Sequence, residues 1–204
     1  GGGPGIDLSK TRSLAELFAK VTEGANKAAP GAIVVSNSDW HEAQLAEQRL
    51  PTAAELEVAA PGVPVVLVRG GHSYFLNETA LAKFGITAST PVPPGGAIPR
   101  DAQGKLTGEL TDAAKALAPL PPAPAVTLDA LAEQQKVVKS YGLTSVRMPG
   151  INSATYAQLK ELRDTGRATV RYSVLFRTNT PAAFQQLTQS GVKEGEGDDW
   201  VEVW

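Results

Sequence analysis

Four consecutive residues carry the densest group of side chains that could do chemistry. Asp39, Trp40, His41 and Glu42 place two carboxylates, an imidazole and an aromatic ring after the apolar, β-branched run 33–35. Such a run predicts a buried strand, and a loop after a strand can present side chains from a rigid scaffold. Carboxylate and imidazole together could act in proton transfer. A structural tryptophan with solvated polar neighbours would produce the same pattern, and both interpretations stay open.

A second group follows the next predicted strand, 63–68. The imidazole of His72, the hydroxyl of Ser73 and the carboxamide of Asn77 lie in a predicted loop and could hydrogen-bond a polar ligand. Alternatively, the histidine satisfies carbonyl groups of its own loop. The surrounding residues approach the Gly-x-Ser-x-Gly motif of serine hydrolases, but Phe75 takes the place of the final glycine and would crowd the tight turn. A serine hydrolase is therefore disfavoured.

The amino-acid composition excludes several kinds of partner and catalytic group. The chain has 204 residues, a formal net charge of -2, no cysteine and two histidines. The near-neutral charge argues against a nucleic-acid partner, and no apolar run approaches the roughly 20 residues of a membrane helix. Without cysteine, thiolate catalysis and Cys-ligated metals are excluded, and a multi-histidine metal centre or a His-dependent catalytic set has at most two histidines to draw on. The only methionine is Met148, so residue 1 is not expected to be a translation start.

The chain divides near the proline-rich stretch 120–124, which predicts an extended connector because residues before proline avoid the helical region. Before the connector, the pattern is a mixture of helix and strand signals. The predicted elements are a helix beginning at the capping box Ser13–Glu16, strands at 33–35 and 63–68, a helix at 52–59 with solvated Glu55 and Glu57, and an irregular stretch at 87–101.

After the connector, helices and strands alternate regularly. The predicted elements are a helix from Thr127 to Gly142, a strand at 143–148, a helix from Ser153 to Gly166, a strand at 170–176, a helix from Thr180 to Gly191 and a strand at 200–204. This alternation is typical of parallel βαβ units in an α/β protein. Because an eight-stranded barrel takes about 250 residues, these units could form only part of one.

An ordered series of motifs resembles the amidohydrolase 3 family, metal-dependent hydrolases of the amidohydrolase superfamily that include N-substituted formamide deformylase-like enzymes. The resemblance spans about residues 6 to 204. Its motifs are 31–42, 50–56, 64–67, Gly71-His72 with Asn77, 80–81, 85–87, 90–91, 94–98, 100–101, Gly104, 107–110, 142–146 and 197–200.

The resemblance implies a partial (β/α) barrel segment preceded by a small α+β insertion domain. Residues 1–120 would be the insertion region, and 121–204 would supply the second to fourth barrel strands. The implied activity is metal-assisted hydrolysis of C–N bonds in small-molecule substrates, with zinc or another divalent metal in the parent enzyme. The family's metal ligands would lie upstream of Gly1 and downstream of Trp204, so no catalytic or metal-binding residue is expected within the chain.

The resemblance also selects candidate residues for the substrate pocket. His72 and Asn77 match the family, whereas Trp40-His41-Glu42 stands where Trp-Asp-Glu is usual. Arg147-Met148 stands where the family usually has a His-Asp pair. Both departures fall where strand ends would face the active site. The pocket candidates are His72, Asn77, Trp40, His41 and Glu42.

Three functions follow from these observations. We expect an internal fragment of an amidohydrolase that is inactive alone, and that self-associates through exposed sheet surface. A non-enzymatic module binding a small ligand at Trp40, His72 and Asn77 is the main alternative. A small hydrolase that uses Asp39 or Glu42 with a histidine is the third. The compartment stays undetermined, with the cytoplasm slightly favoured.

Overall fold

The computed structural model describes residues 5–121, 126–178 and 180–204. Within it the chain divides into two compact units, residues 1–124 and 125–204. Most of the predicted connector at 120–124 lies outside the described residues. No helix in the described ranges is long and apolar enough to cross a membrane.

The first unit contains a five-stranded mixed sheet and three α-helices. Its strands are β1 (Val34–Val35), β2 (Val65–Arg69), β3 (Ser73–Leu76), β4 (Gly96–Ala97) and β5 (Glu109–Asp112), and its helices are α1 (Leu14–Lys27), α2 (Ala53–Ala59) and α3 (Glu78–Lys83). Short 3-10 helices occupy Glu42–Gln44 and Ala113–Leu117. The strand order is β1-β2-β3-β5-β4, in which β1 and β2 are parallel and the other pairs antiparallel.

Local capping explains where the first helices begin. The Ser13 hydroxyl accepts a hydrogen bond from the Glu16 amide at the start of α1, and Thr52 caps α2 in the same way. These bonds satisfy amides that have no partner inside the helix. Leu17 and Val21 on the inner face of α1 are fully buried in a core shared with Trp40. The helix predicted to begin at the capping box Ser13–Glu16 is therefore confirmed.

The segment that follows β2 differs from its prediction as a loop. A sharp turn, in which Gly70 has φ of 55°, leads into β3, which pairs with both β2 and β5. Three of its four residues are buried. Because the pairing with β5 joins residues more than thirty positions apart, nothing local in the sequence revealed it. Most of 70–77 is thus a β-hairpin rather than an open loop.

The prediction of solvated glutamates on α2 was also wrong. Glu57 accepts hydrogen bonds from the Thr79 amide at 2.9 Å and from the Thr79 hydroxyl at 2.7 Å. Glu55 pairs with Arg49 and completes the capping box at Thr52. Both carboxylates therefore connect α2 to neighbouring segments instead of facing only water.

Glu55 predicts a measurable acid sensitivity. Hydrogen bonds from Arg49 lower the pKa of Glu55 to about 2 from its ordinary 4.5. Bonds from Thr52 act in the same direction, whereas partial burial acts against them. A carboxylate with a depressed pKa stabilises the fold at pH values above its ordinary pKa. This stabilisation is lost as the pH falls toward 2. We expect Glu55→Gln to lower the free energy of unfolding by about 1 kcal/mol at pH 7, since the pair is surface-exposed. In urea titrations the difference should shrink between pH 4.5 and 2; a difference independent of pH would contradict this account.

The second unit alternates helix and strand. Its helices are α4 (Leu128–Ser140), α5 (Ser153–Asp164) and α6 (Pro181–Ser190), and its strands are β6 (Ser145–Ile151), β7 (Arg171–Phe176) and β8 (Val201–Val203). The strand order is β6-β7-β8 and both pairs are parallel, which confirms the predicted βαβ units. The predicted beginnings of α4 and α6 and the predicted end of α6 are also confirmed, because Thr127 and Thr180 cap these helices and Gly191 ends α6 in a left-handed conformation.

The two faces of this sheet differ. Tyr156, Leu159 and Leu162 of α5 pack with Val174 and Val201 in a buried core. The alternate strand residues on the opposite face are partly or fully exposed and include Ser145, Arg147, Pro149, Arg171, Ser173 and Glu202. Side chains along a strand alternate between faces, so one face carries the core and the other remains largely polar.

Candidate functional site

An arginine on β2 organises the first group of candidate residues. The Arg69 guanidinium donates to both carboxylate oxygens of Glu42, at 2.5 and 2.6 Å, and its Nη2 lies 2.7 Å from Nε2 of His41. Partial burial would raise the pKa of Glu42, but the hydrogen bonds and charge of Arg69 outweigh it and lower the pKa. The carboxylate is therefore held in its charged form and is suited to binding or orientation.

The residues beside this pair have structural contacts. The His41 Nδ1 accepts a hydrogen bond from the Ala43 amide at 3.1 Å, which caps the short 3-10 helix. Trp40 is only 4% exposed; its indole N–H donates to the Val68 carbonyl at 2.7 Å, and its ring packs edge-on against Phe75. Trp40 thus fixes the loop after β1 against the hairpin, while His41 and Glu42 reach the surface.

The Glu42–Arg69 pair should contribute measurably to stability. Each side chain is 24% exposed and the contact is bidentate, which favours a stronger pair than an ordinary surface ion pair. A double-mutant cycle with Glu42→Gln and Arg69→Gln should give a coupling energy of about 1 to 2 kcal/mol at pH 7. Urea denaturation measures it. Strictly additive single-substitution effects would mean that the contact contributes nothing.

His72 lies at the turn of the hairpin. Its Nδ1 is 2.8 Å from an Asp112 carboxylate oxygen, and its side chain is 84% exposed. The Lys115 ammonium also donates to the Gly71 carbonyl and lies 5.3 Å from the centre of the Tyr74 ring. His72 is therefore an accessible imidazole beside a carboxylate, in a polar cluster on the surface.

Asn77 has a different environment. It is fully buried, and its Oδ1 accepts from the amides of Val65 and Ala80, both at 2.9 Å. Its Nδ2 donates to the carbonyls of Val63 at 2.8 Å and Ala60 at 3.4 Å. All the hydrogen-bonding capacity of this carboxamide is used within the fold.

The structure does not bring the two residues together. The whole of β3 separates His72 from Asn77, a distance of about 16 Å at the rise of an extended strand. His41 contacts the side chain of Arg69 at the end of β2, and His72 lies in the turn that joins β2 to β3. A shared role of the candidates in a substrate pocket stays a prediction.

Sequence reasoning missed a second site, a cleft in the unit 125–204. It has a volume of about 670 Å³ and lies at the carboxyl ends of β6 and β7 and the beginnings of three helices. The charged side chains that line it are Arg147 and Arg177. The sequence did mark Arg147-Met148 as a departure from the family at a strand end, and ligands of parallel α/β folds bind at the carboxyl ends of the strands, but it did not reveal the cleft around them.

The residues do not by themselves fit a catalytic metal. In the described ranges there is no group of three or more His, Cys, Asp or Glu side chains that could hold an ion. His72 and Asp112 form a pair, and His41 and Glu42 form another with Arg69 as a competing cation. A metal with several protein ligands would need residues beyond these pairs.

Comparisons with known proteins agree with the sequence motifs. Over 81 residues the chain is 44% identical to the N-substituted formamide deformylase of Arthrobacter pascens, covering 39% of this chain and 15% of that protein. Over 79 residues it is 39% identical to the amidohydrolase YtcJ of Bacillus subtilis strain 168, covering 38% of this chain and 15% of that protein.

A solved structure shares the fold. The crystal structure of an uncharacterized metal-dependent hydrolase from Pyrococcus horikoshii OT3 superposes with a TM-score of 0.51 at 19% identity, covering 97% of this chain and 37% of that one. The chain therefore spans much less than half the length of the proteins it matches. The family model described as "Amidohydrolase family" matches residues 3–204. Since that match covers nearly the whole sequence, the chain belongs to the amidohydrolase family.

Proposed function

We propose that the chain forms part of the catalytic body of a metal-dependent amidohydrolase that hydrolyses C–N bonds in small amide-type molecules. Residues 1–120 would form an insertion domain, and residues 121–204 would supply consecutive β/α units of a barrel. In this proposal the chain is inactive alone, because the metal ligands belong to other parts of the enzyme.

One observation carries this proposal beyond the family match. The parallel sheet β6-β7-β8 packs one face against α4 and α5, and the alternate strand residues of its other face are mostly polar and at least partly exposed. In a (β/α) barrel the helices cover the outside of the sheet, while the opposite face lines the interior. A segment of such a barrel would have this asymmetry.

The candidate residues receive separate roles under this proposal. His41, Glu42 and His72 reach the surface around the β2–β3 turn and would contact substrate. Trp40 would hold that turn in position, and Asn77 would fix the opposite end of the hairpin, since their polar groups are bonded within the fold. When bound in the complete enzyme, a divalent metal would polarise the scissile carbonyl and activate water. The described residues do not supply its ligand set.

The isolated chain provides the first test. After dialysis against zinc chloride, we expect much less than one zinc ion per chain by elemental analysis, and no zinc-dependent hydrolysis of an N-substituted formamide. One tightly bound zinc per chain together with turnover would overturn the proposal and favour a self-sufficient hydrolase.

A chimera provides the positive test. Residues 3–204 would replace the stretch of the Arthrobacter pascens deformylase that matches the same part of the family model. We expect a folded chimera that keeps the metal content of the parent deformylase, whatever its substrate preference. A folded chimera without metal would contradict the proposed place of this chain in the barrel.

We also propose that the isolated chain self-associates. Trp200 and Trp204 are 43% and 60% exposed, and among the described strands β6 and β8 each pair on one side only. Unpaired strand edges beside exposed aromatic side chains favour association of like chains. Sedimentation velocity at increasing concentration should reveal dimers or larger species. A single monomeric species at about 10 mg/ml would contradict this expectation.

A further inference from the structure

We propose that the cleft at the carboxyl ends of β6 and β7 binds an organic anion, a carboxylate on an apolar body, with Arg177 as its anchor. That this anion is part of the substrate rests on the proposed function. The binding itself rests only on the chemistry of the cleft.

The lining of the cleft has an unbalanced charge. Arg147 and Arg177 contribute two positive charges, and no acidic residue of the described ranges lines the cleft. The remaining surface is mainly apolar and includes Leu131, Met148 and Ile151. A volume of about 670 Å³ is within the usual range for small-molecule sites. Apolar walls with two cations select a ligand that has an apolar body and a negative charge.

Arg177 is positioned by the strand end it follows. Its backbone amide donates to the Ile151 carbonyl at 2.9 Å, at the point where the pairing of β6 with β7 shifts register. Its guanidinium lies against Gly150, so that a Cβ added there would be 3.0 Å from both Nε and Nη2. Gly150 also has φ of 80°, a conformation that favours glycine. The glycine thus leaves the space that the guanidinium occupies at the cleft.

The two arginines retain hydrogen-bonding capacity. Among the described residues, neither guanidinium forms an ion pair with a carboxylate. Arg147 stacks over the Trp204 ring at 3.7 Å from its centre, a contact that uses the face of the guanidinium and leaves its N–H edge available. The geometry of a carboxylate, like that of a phosphate, matches a guanidinium in a bidentate contact.

The dipoles of α5 and α6 also favour a negatively charged ligand in the cleft. Asn152 and Thr155, at the beginning of the 12-residue helix α5, line the cleft, as does Ala183 in the first turn of α6. The positive ends of helix dipoles add to the attraction of an anion. They support the site that the arginines define.

Binding can be tested without a metal. We would titrate the isotope-labelled chain with hexanoate and with its neutral analogue hexanamide, following the amide signals of Gly150 and Asn152 by NMR. Hexanoate is expected to bind at least about tenfold more tightly than hexanamide, and more weakly as salt rises. Sulfate, which lacks the apolar body, should bind more weakly than hexanoate. Equal affinity of hexanoate with either hexanamide or sulfate would overturn the proposed ligand class.

Substitutions test the anchor. Arg177→Gln should weaken hexanoate binding about tenfold, whereas Arg171→Gln should change it less than about twofold. Arg171 is exposed at the opposite end of β7 and gives the same change in charge. Equal losses in the two variants would overturn the assignment of Arg177. If the chain binds hexanoate but the chimera holds no metal, the anion site is kept and only the proposed function is rejected. If the chimera holds metal but the chain does not bind hexanoate, only the anion site is rejected.

Discussion

Replacing Asn77 with alanine is expected to lower the free energy of unfolding by about 4 kcal/mol. The side chain is fully buried and bonds four backbone groups, two amides and two carbonyls. Alanine would leave these groups unpaired in the core and would also remove the cap of α3. Each buried group without a partner costs about 1 to 3 kcal/mol, and loss of a helix cap costs about 1 kcal/mol.

His72 supplies the matched control for this prediction. His72→Ala should cost less than about 1 kcal/mol, because its contact with Asp112 lies at an exposed surface. Urea denaturation followed by tryptophan fluorescence, with Trp40 as a reporter in the same unit, would compare the two variants. Similar losses in both would mean that Asn77 contributes no more than a surface residue, contrary to its contacts.

The comparison of these two residues illustrates what the sequence could predict. His72 and Asn77 were grouped because they stand five positions apart in one motif. Their environments differ because β3 pairs on both sides, with β2 and with the distant β5. Which residues of a short segment are buried depends on such long-range pairing, and spacing within the segment does not reveal it.

Elements defined by local signals were predicted correctly. The helix beginnings at Thr127, Ser153 and Thr180 and the helix end at Gly191 each depend on residues within one or two turns. The cleft at Arg177 was missed for the opposite reason. It combines the ends of two strands with the beginnings of three helices, and its residues lie from 126 to 183 in the sequence.

Gln135 of α4 also escaped notice, and its replacement by alanine should cost about 3 kcal/mol. This glutamine is only 2% exposed although it lies in a helix of mostly polar residues. Its Oε1 accepts from the amides of Thr169 at 2.6 Å and Val170 at 3.1 Å, and its Nε2 donates to the Arg167 carbonyl at 3.1 Å. Three backbone groups that lead into β7 would lose their partner.

The neighbouring Gln134 offers a matched control, the same substitution at an exposed position of the same helix. It is exposed, so Gln134→Ala should change the free energy of unfolding by less than about 0.5 kcal/mol.

Gln135→Glu would keep the two bonds accepted from Thr169 and Val170 but would lose the bond to Arg167 and bury a charge. It should therefore also be destabilising at pH 7, and less so as the pH falls and the carboxyl group becomes protonated. Hydrogen exchange at the Thr169 and Val170 amides separates this local effect from a general loss of stability. Unchanged protection of both amides in Gln135→Ala would show that other groups, and not this side chain, secure the entry into β7.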